Sequence, residues 1–172
     1  MKGRKEHYRF MARAIAEAEK ALAQGEFPVG CVFVRDGQIL AAGHRRNSGM
    51  EQGNEIDHAE MVVLRELVSD KPSLDLAGTT VYSSMEPCLM CFSTLILSGV
   101  RHIVYAYEDV MGGGCGLDLT QLPPLYRQME VKIVDGILRK QSLELFKRFF
   151  SLNENHYWQD SLLASYTLSA EL

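Results

Sequence analysis

His58, Glu60, Cys88 and Cys91 are the side chains of this 172-residue chain whose types and spacing could do chemistry. They stand in two short runs, His58-Ala59-Glu60 and Pro87-Cys88-Leu89-Met90-Cys91. One imidazole and two thiols make three ligands, and a zinc ion takes four, so one position is left for water. A closed structural site needs a fourth protein ligand, and the other cysteines, Cys31 and Cys115, form no second C-x-x-C. Zinc lowers the pKa of water from about 15.7 to about 7, which supplies hydroxide at neutral pH. A carboxylate beside it, here Glu60, can then move protons. Spacing alone also leaves open a redox pair of thiols or a closed structural zinc site.

Two helix starts would position these groups. A helix beginning near Cys88 sets Cys88 and Cys91 three apart on one face, able to chelate a single ion. Its free NH groups and positive dipole end favour thiolates, and Pro87 suits the first turn. A second helix beginning near His58 turns Glu60 about 160 to 200° away from it. That geometry makes Glu60 a poor fellow ligand and a better partner for water and substrate.

The remaining elements follow from periodicity and turn residues. Tyr8, Met11, Ile15, Ala18 and Leu22 recur at helical spacing over 7–24, with Gly25 as the stop. Residues 28–34 and 39–42 read as two strands joined by a tight Asp36-Gly37 turn, an antiparallel pair. Residues 43–56 have no period and form a loop that could wall a substrate site. Met61, Leu64, Leu67 and Val68 supply the stripe of the His58 helix; 79–84 is a strand feeding the cysteine helix, which Gly99 can end. Residues 102–107 read as a central strand apolar on both faces, and 131–134 as a last strand. Asp135-Gly136 is a turn and 137–150 a helix. Alternating strands and helices predict a layered α/β sheet with both metal-binding helix starts at one edge, where strands end. The Gly112-Gly113-Gly114-Cys115-Gly116 run lacks the context of a phosphate loop and reads as a flexible turn. Pro123-Pro124 marks a loop. Residues 1–150 are expected to form one domain, and 151–172 a helical tail without Lys or Arg, packed on the body or on another subunit.

A net charge of −4 gives no general attraction to polyanions. No apolar run approaches a membrane span, and the charged first twelve residues lack a signal-peptide core. A cytoplasmic protein is expected. Four cysteines, two of them metal ligands, make no disulfide framework. Cys31 is expected in the core. Asp57 is expected to cap the following helix or, alternatively, to orient a ligand. His44 could stack on a base or be structural, and Arg45 and Arg46 could grip a phosphate or be solvated.

H-x-E followed by P-C-x-x-C is the pattern of zinc-dependent nucleobase deaminases. With Pro28-Val29-Gly30, Glu86-Pro87-Cys88-Leu89-Met90-Cys91 and the stretch 131–138, the chain resembles the cytidine deaminase-like superfamily, and within it the bacterial tRNA adenosine deaminases. The resemblance implies a three-layer α/β/α sandwich around a mixed five-stranded sheet, one Zn2+ per subunit and a homodimer. It implies that His58, Cys88 and Cys91 hold zinc and that Glu60 carries the proton. Val29, Arg45, Asn47, Ala59, Met85 and Asp109 are the implied substrate contacts. Three departures bear on substrate. Ungapped alignment puts Arg45 where such enzymes carry Asn, and only a shifted loop lets Asn47 serve. Val110-Met111-Gly112 replaces a usual Lys-Thr pair, and the basic RNA-binding C-terminal helix gives way to the uncharged-to-acidic tail. The expected function is hydrolytic deamination of an amino-nucleobase with release of ammonia, most like tRNA adenosine deaminases. The alternative substrate is a free base, nucleoside or nucleotide of guanine, cytosine or adenosine type.

Overall fold

A computed structural model describes residues 2–49, 53–152 and 156–171. Helix α1 (Lys2–Ala23) leads into strands β1 (Gly30–Arg35) and β2 (Gln38–His44), then α2 (Ala59–Asp70), β3 (Thr80–Met85), α3 (Leu89–Leu97) and β4 (His102–Tyr107). A short α4 (Pro124–Arg127), β5 (Lys132–Val134), α5 (Arg139–Phe150) and α6 (Leu162–Ser169) complete the chain. The sheet order is β2-β1-β3-β4-β5. β1 runs antiparallel to β2 and β3, while β4 runs parallel to both β3 and β5. The mixed five-stranded sheet expected from the resemblance is therefore present.

Period-two alternation divides the core into two layers. Cys31 and Phe33 of β1, Val81 and Met85 of β3, and Ile103 and Tyr107 of β4 face the layer that holds α2 and α3. Val32, Val34, Tyr82, Val104 and Ala106 face α1 on the other side. Cys31 is a packing residue, as expected. Gly30 lets α1 approach: a Cβ there would lie 2.1 Å from the Ala14 carbonyl oxygen. Asp36 and Gly37 both have positive φ, 51° and 73°, which fits a type I′ hairpin.

Several boundaries differ from expectation. Helix α1 starts at Lys2, five residues early, and Pro124 starts the short α4 where only a loop was expected, because Pro is suited to the first helical turn. Residues 50–52 of the expected 43–56 loop, and 153–155 of the tail, lie outside the described residues. The tail packs on its own chain. Leu163 and Ala164 enter the core, Thr167 shares a 2.9 Å hydrogen bond with the Tyr107 hydroxyl, and Tyr166 donates to Glu108 at 2.6 Å. Among the described residues no helix is long and apolar enough to cross a membrane.

Candidate active site

The site lies at the carboxyl ends of the parallel strands. β3 ends at Met85, and Glu86-Pro87 carries the chain to Cys88, the N-cap of α3. His58 is likewise the N-cap of α2, with φ −59° and ψ 151°, outside the helix proper. This corrects the expected angular separation of His58 and Glu60, which assumed that both were helical. The extended His58 backbone turns the two side chains to one place, and Glu60 ends up against the ligand cluster.

The ligand atoms of His58, Cys88 and Cys91 lie within 4.8 Å of one another. His58 Nδ1 is 3.5 Å from each sulfur. Two ligands at zinc distances of roughly 2.0 and 2.3 Å, opened to a tetrahedral angle, are about 3.5 Å apart, so the spacing fits zinc. The opposite ring nitrogen, Nε2, sits 3.7 Å from Glu55 Oε2, which supports the ligating orientation. Hydrogen bonding from Cys91 pulls the Cys88 thiol down to about 4, with His58 helping and burial opposing. The same Cys88 bond and burial push Cys91 up. One thiolate, the form that binds metal, is thus favoured by the protein itself.

Glu60, 3% exposed, accepts a 2.8 Å hydrogen bond from Ser83 Oγ of β3, and its Oε2 lies 3.5 Å from Cys91 Sγ. Burial raises its carboxyl above the ordinary value, against the pull of His58. The carboxylate therefore sits beside the metal position with one oxygen anchored and the other directed toward the cluster.

A cavity of about 310 Å³ opens over these groups. Of the sequence-derived candidates, Val29, Arg45, Ala59, Met85 and Asp109 line it together with His58, Glu60 and Cys88. Asn47 does not. Its amide donates to Asp57 Oδ2 at 2.8 Å from a backbone with φ 61°, so it ties the loop together instead. Asp57 accepts a second bond from Asn54 Nδ2 and does not cap α2, contrary to expectation, because His58 occupies the cap position. Arg46 pairs with Glu66 at 3.0 Å on the surface. His44 contacts Glu17 and Gln24 of the α1 region, away from the cavity.

Sequence reasoning missed Phe27, Glu55, Glu86, Met111, Tyr157, Trp158 and Leu163 as lining residues, and Ser83 as the anchor of Glu60. The aromatic pair in a polar tail was a usable signal for Tyr157 and Trp158; Ser83 offered none. The glycine run is not a loose turn. Glu86 accepts from the backbone NH groups of Asp109 and Cys115, and Gly113 bridges to Cys88. A Cβ on Gly113 would lie 2.5 Å from the Glu86 carboxylate, and one on Gly114 would lie 2.8 Å from the Leu89 Cα. Bare backbone is what lets this segment press against the start of α3 and hold Asp109 and Met111 in the wall.

Residues 4–107 match the cytidine and deoxycytidylate deaminase zinc-binding region. The chain is 33% identical over 141 residues to a tRNA-specific adenosine deaminase of Streptococcus pyogenes serotype M18 (strain MGAS8232), covering 82% of this chain and 87% of that one. It is 34% identical to the tRNA-specific adenosine deaminase of Bacillus subtilis (strain 168), covering 82% and 86%. A solved structure from studies of A-to-I editing by tRNA:A34 deaminases at the wobble position superposes with a TM-score of 0.67 at 26% identity, over 80% of this chain and 98% of that one. Sequence and fold thus agree with the ligand geometry, and the chain belongs to the cytidine and deoxycytidylate deaminase family as a zinc-dependent hydrolytic deaminase.

Proposed function

We propose that this site deaminates an amino-nucleobase, with Glu60 as the proton carrier. The observation that carries the reading is the Glu60 carboxylate, fixed by Ser83 and 3.5 Å from a zinc-ligand sulfur inside a base-sized cavity. His58, Cys88 and Cys91 would hold a zinc ion, which would supply the Lewis acidity that makes water nucleophilic at neutral pH. Glu60 takes one proton as water adds to the amine-bearing ring carbon and delivers it to the adjacent ring nitrogen, then takes the second proton from the newly added hydroxyl and passes it to the departing amine. The C–N bond breaks, ammonia leaves, and the ring keeps the oxygen as a carbonyl. Val29, Ala59 and Met85 pack against the ring, while Asp109 is held by its own loop through bonds from the Met111 and Gly112 NH groups.

Relationship to enzymes named for tRNA adenosine supports adenosine in a tRNA loop as substrate. A second reading, a free base, nucleoside or nucleotide, is favoured by the tail. Tyr157, Trp158 and Leu163 wall the cavity on a segment without Lys or Arg, and each missing phosphate contact weakens nucleic-acid binding. Ammonia release from an anticodon stem-loop compared with free bases, nucleosides and nucleotides separates the readings. Turnover of the stem-loop alone upholds the first, turnover of small molecules alone the second, and none at all with zinc-loaded protein refutes both. The resemblance further supports a cytoplasmic homodimer, which light scattering of the purified protein tests for assembly.

A further inference from the structure

Glu55 belongs to the cavity wall, yet the proton chemistry above makes no use of it. Its side chain is 56% exposed, and a glutamate so placed ordinarily keeps much of its rotamer freedom. This one is tied at a single atom. Its Oε2 accepts a 2.9 Å hydrogen bond from the Tyr157 hydroxyl and lies 3.4 Å from Arg45 Nη2 and 3.7 Å from His58 Nε2. Two of these neighbours are themselves fixed. Arg45 is 2% exposed and donates to the Asn54 carbonyl at 2.9 Å. The Tyr157 ring packs against Phe27 and Trp158, with centroids 5.2 and 5.8 Å away.

His58 presents Nδ1 to the two sulfurs, 3.5 Å from each, and turns Nε2 the other way, toward the Glu55 oxygen. A neutral imidazole carries its hydrogen on one nitrogen only. An acceptor beside Nε2 keeps the hydrogen there and leaves the Nδ1 lone pair for a metal, and a ligating histidine commonly donates its other NH to a carboxylate in this way. The 3.7 Å separation is beyond a formed hydrogen bond, and Nε2–H becomes the stronger donor that would close it once Nδ1 is coordinated. We infer that Glu55 is a positioning residue of the metal centre and that the C-terminal segment, through the Tyr157 hydroxyl, holds it in place. The segment is thereby part of the metal site without supplying a ligand. The inference rests on the reading of His58, Cys88 and Cys91 as zinc ligands and is independent of which base is deaminated.

The test is the zinc dissociation constant of the full chain, read by competition with a chromophoric chelator. Glu55→Ala should weaken zinc binding about 10- to 100-fold. Glu55→Gln should lose less than about fivefold, because the donors facing Oε2 select the amide oxygen for that place and the acceptor is kept. Tyr157→Phe keeps the ring and removes only the hydroxyl. It should weaken zinc binding about two- to tenfold, and joined to Glu55→Ala it should add nothing, since both act through one oxygen. Tyr166→Phe is the control: it removes a hydroxyl of the same segment that bonds Glu108 instead, and zinc binding should stay within about twofold of wild type. Tight wild-type binding with Glu55→Ala unchanged overturns the inference and leaves the metal site standing. Equal losses in Glu55→Gln and Glu55→Ala make the effect one of charge and overturn the positioning role. A loss in Tyr166→Phe as large as in Tyr157→Phe makes it a general loosening of the segment and overturns the route through Tyr157. Wild type that takes up no zinc refutes the metal site, and the deaminase reading with it.

Discussion

Replacing Glu60 by Gln should remove the proton carrier and little else. Gln has the same shape, so its amide oxygen can still accept the 2.8 Å bond from Ser83 while its NH2 takes the place of Oε2 near Cys91. Zinc is held by other residues, so metal content should stay at one per chain. The exchange puts a neutral amide where burial already disfavours charge, so stability should change by less than about 1 kcal/mol. A positioned acid or base contributes about 10²- to 10⁴-fold. With each tenfold equal to about 1.4 kcal/mol of barrier, the expected loss in kcat is about 10³-fold, roughly 4 kcal/mol. Glu60→Ala should lose as much activity and also destabilise the fold by about 1–3 kcal/mol, because the buried Ser83 hydroxyl loses its acceptor. Elemental analysis, thermal unfolding and ammonia release on the same preparation decide the matter. A kcat within tenfold of wild type would refute Glu60 as proton carrier, and loss of zinc in the Gln variant would refute its separation from the metal ligands.

Three other outcomes are expected. Gly30→Ala drives a methyl to 2.1 Å from the Ala14 carbonyl oxygen and 2.4 Å from the Ala18 nitrogen. It should cost at least about 3 kcal/mol in chemical denaturation, and a cost under 1 kcal/mol would mean that α1 can lift off β1 freely. Leu163→Ala should cost about 2–5 kcal/mol and raise the KM for substrate, since Leu163 is both 2% exposed and part of the cavity wall; unchanged stability and KM would show that α6 is not held there. Glu108 gives a pH dependence. Burial alone would raise its carboxyl, but hydrogen bonds from Arg139 and Tyr166 hold it below the ordinary 4.5. A depressed carboxyl contributes stability that is complete above the unfolded value and is lost as pH falls through the folded one. Wild type should therefore weaken below about pH 4.5 more steeply than Glu108→Gln, and parallel denaturation profiles for the two would refute this.

The metal ligands and the sheet were legible because they rest on short-range rules. Three ligands in fixed spacing define a zinc cradle without knowledge of the fold, and the short apolar runs of 30–35 and 102–107 mark strands that are covered on both faces. The helix starts were legible only to within a residue. Whether His58 is the cap or the first helical residue decides where Glu60 points, and sequence does not resolve that difference. Contacts between segments far apart in the chain were the least visible. The Ser83 anchor of Glu60 spans 23 positions, and the Tyr157 contact with Arg45 spans 112. Arg45 read as an implied substrate contact that could grip a phosphate or be solvated; its burial, with Tyr157 of the tail against it, is a tertiary event with no local sign. Asn47 read as a substrate contact and proved a loop tie, since an Asn at positive φ beside an Asp satisfies its amide locally.

The glycine segment behind Asp109 limits how such an enzyme could be retailored. With Gly113 and Gly114 seated directly on Glu86 and Leu89, the backbone there cannot be thickened or moved without disturbing the sulfur donors themselves. Engineering of a wider or narrower binding chamber is thereby steered away from that side, toward the side chains of Met111, Trp158 and Leu163, whose replacement leaves the metal cradle intact.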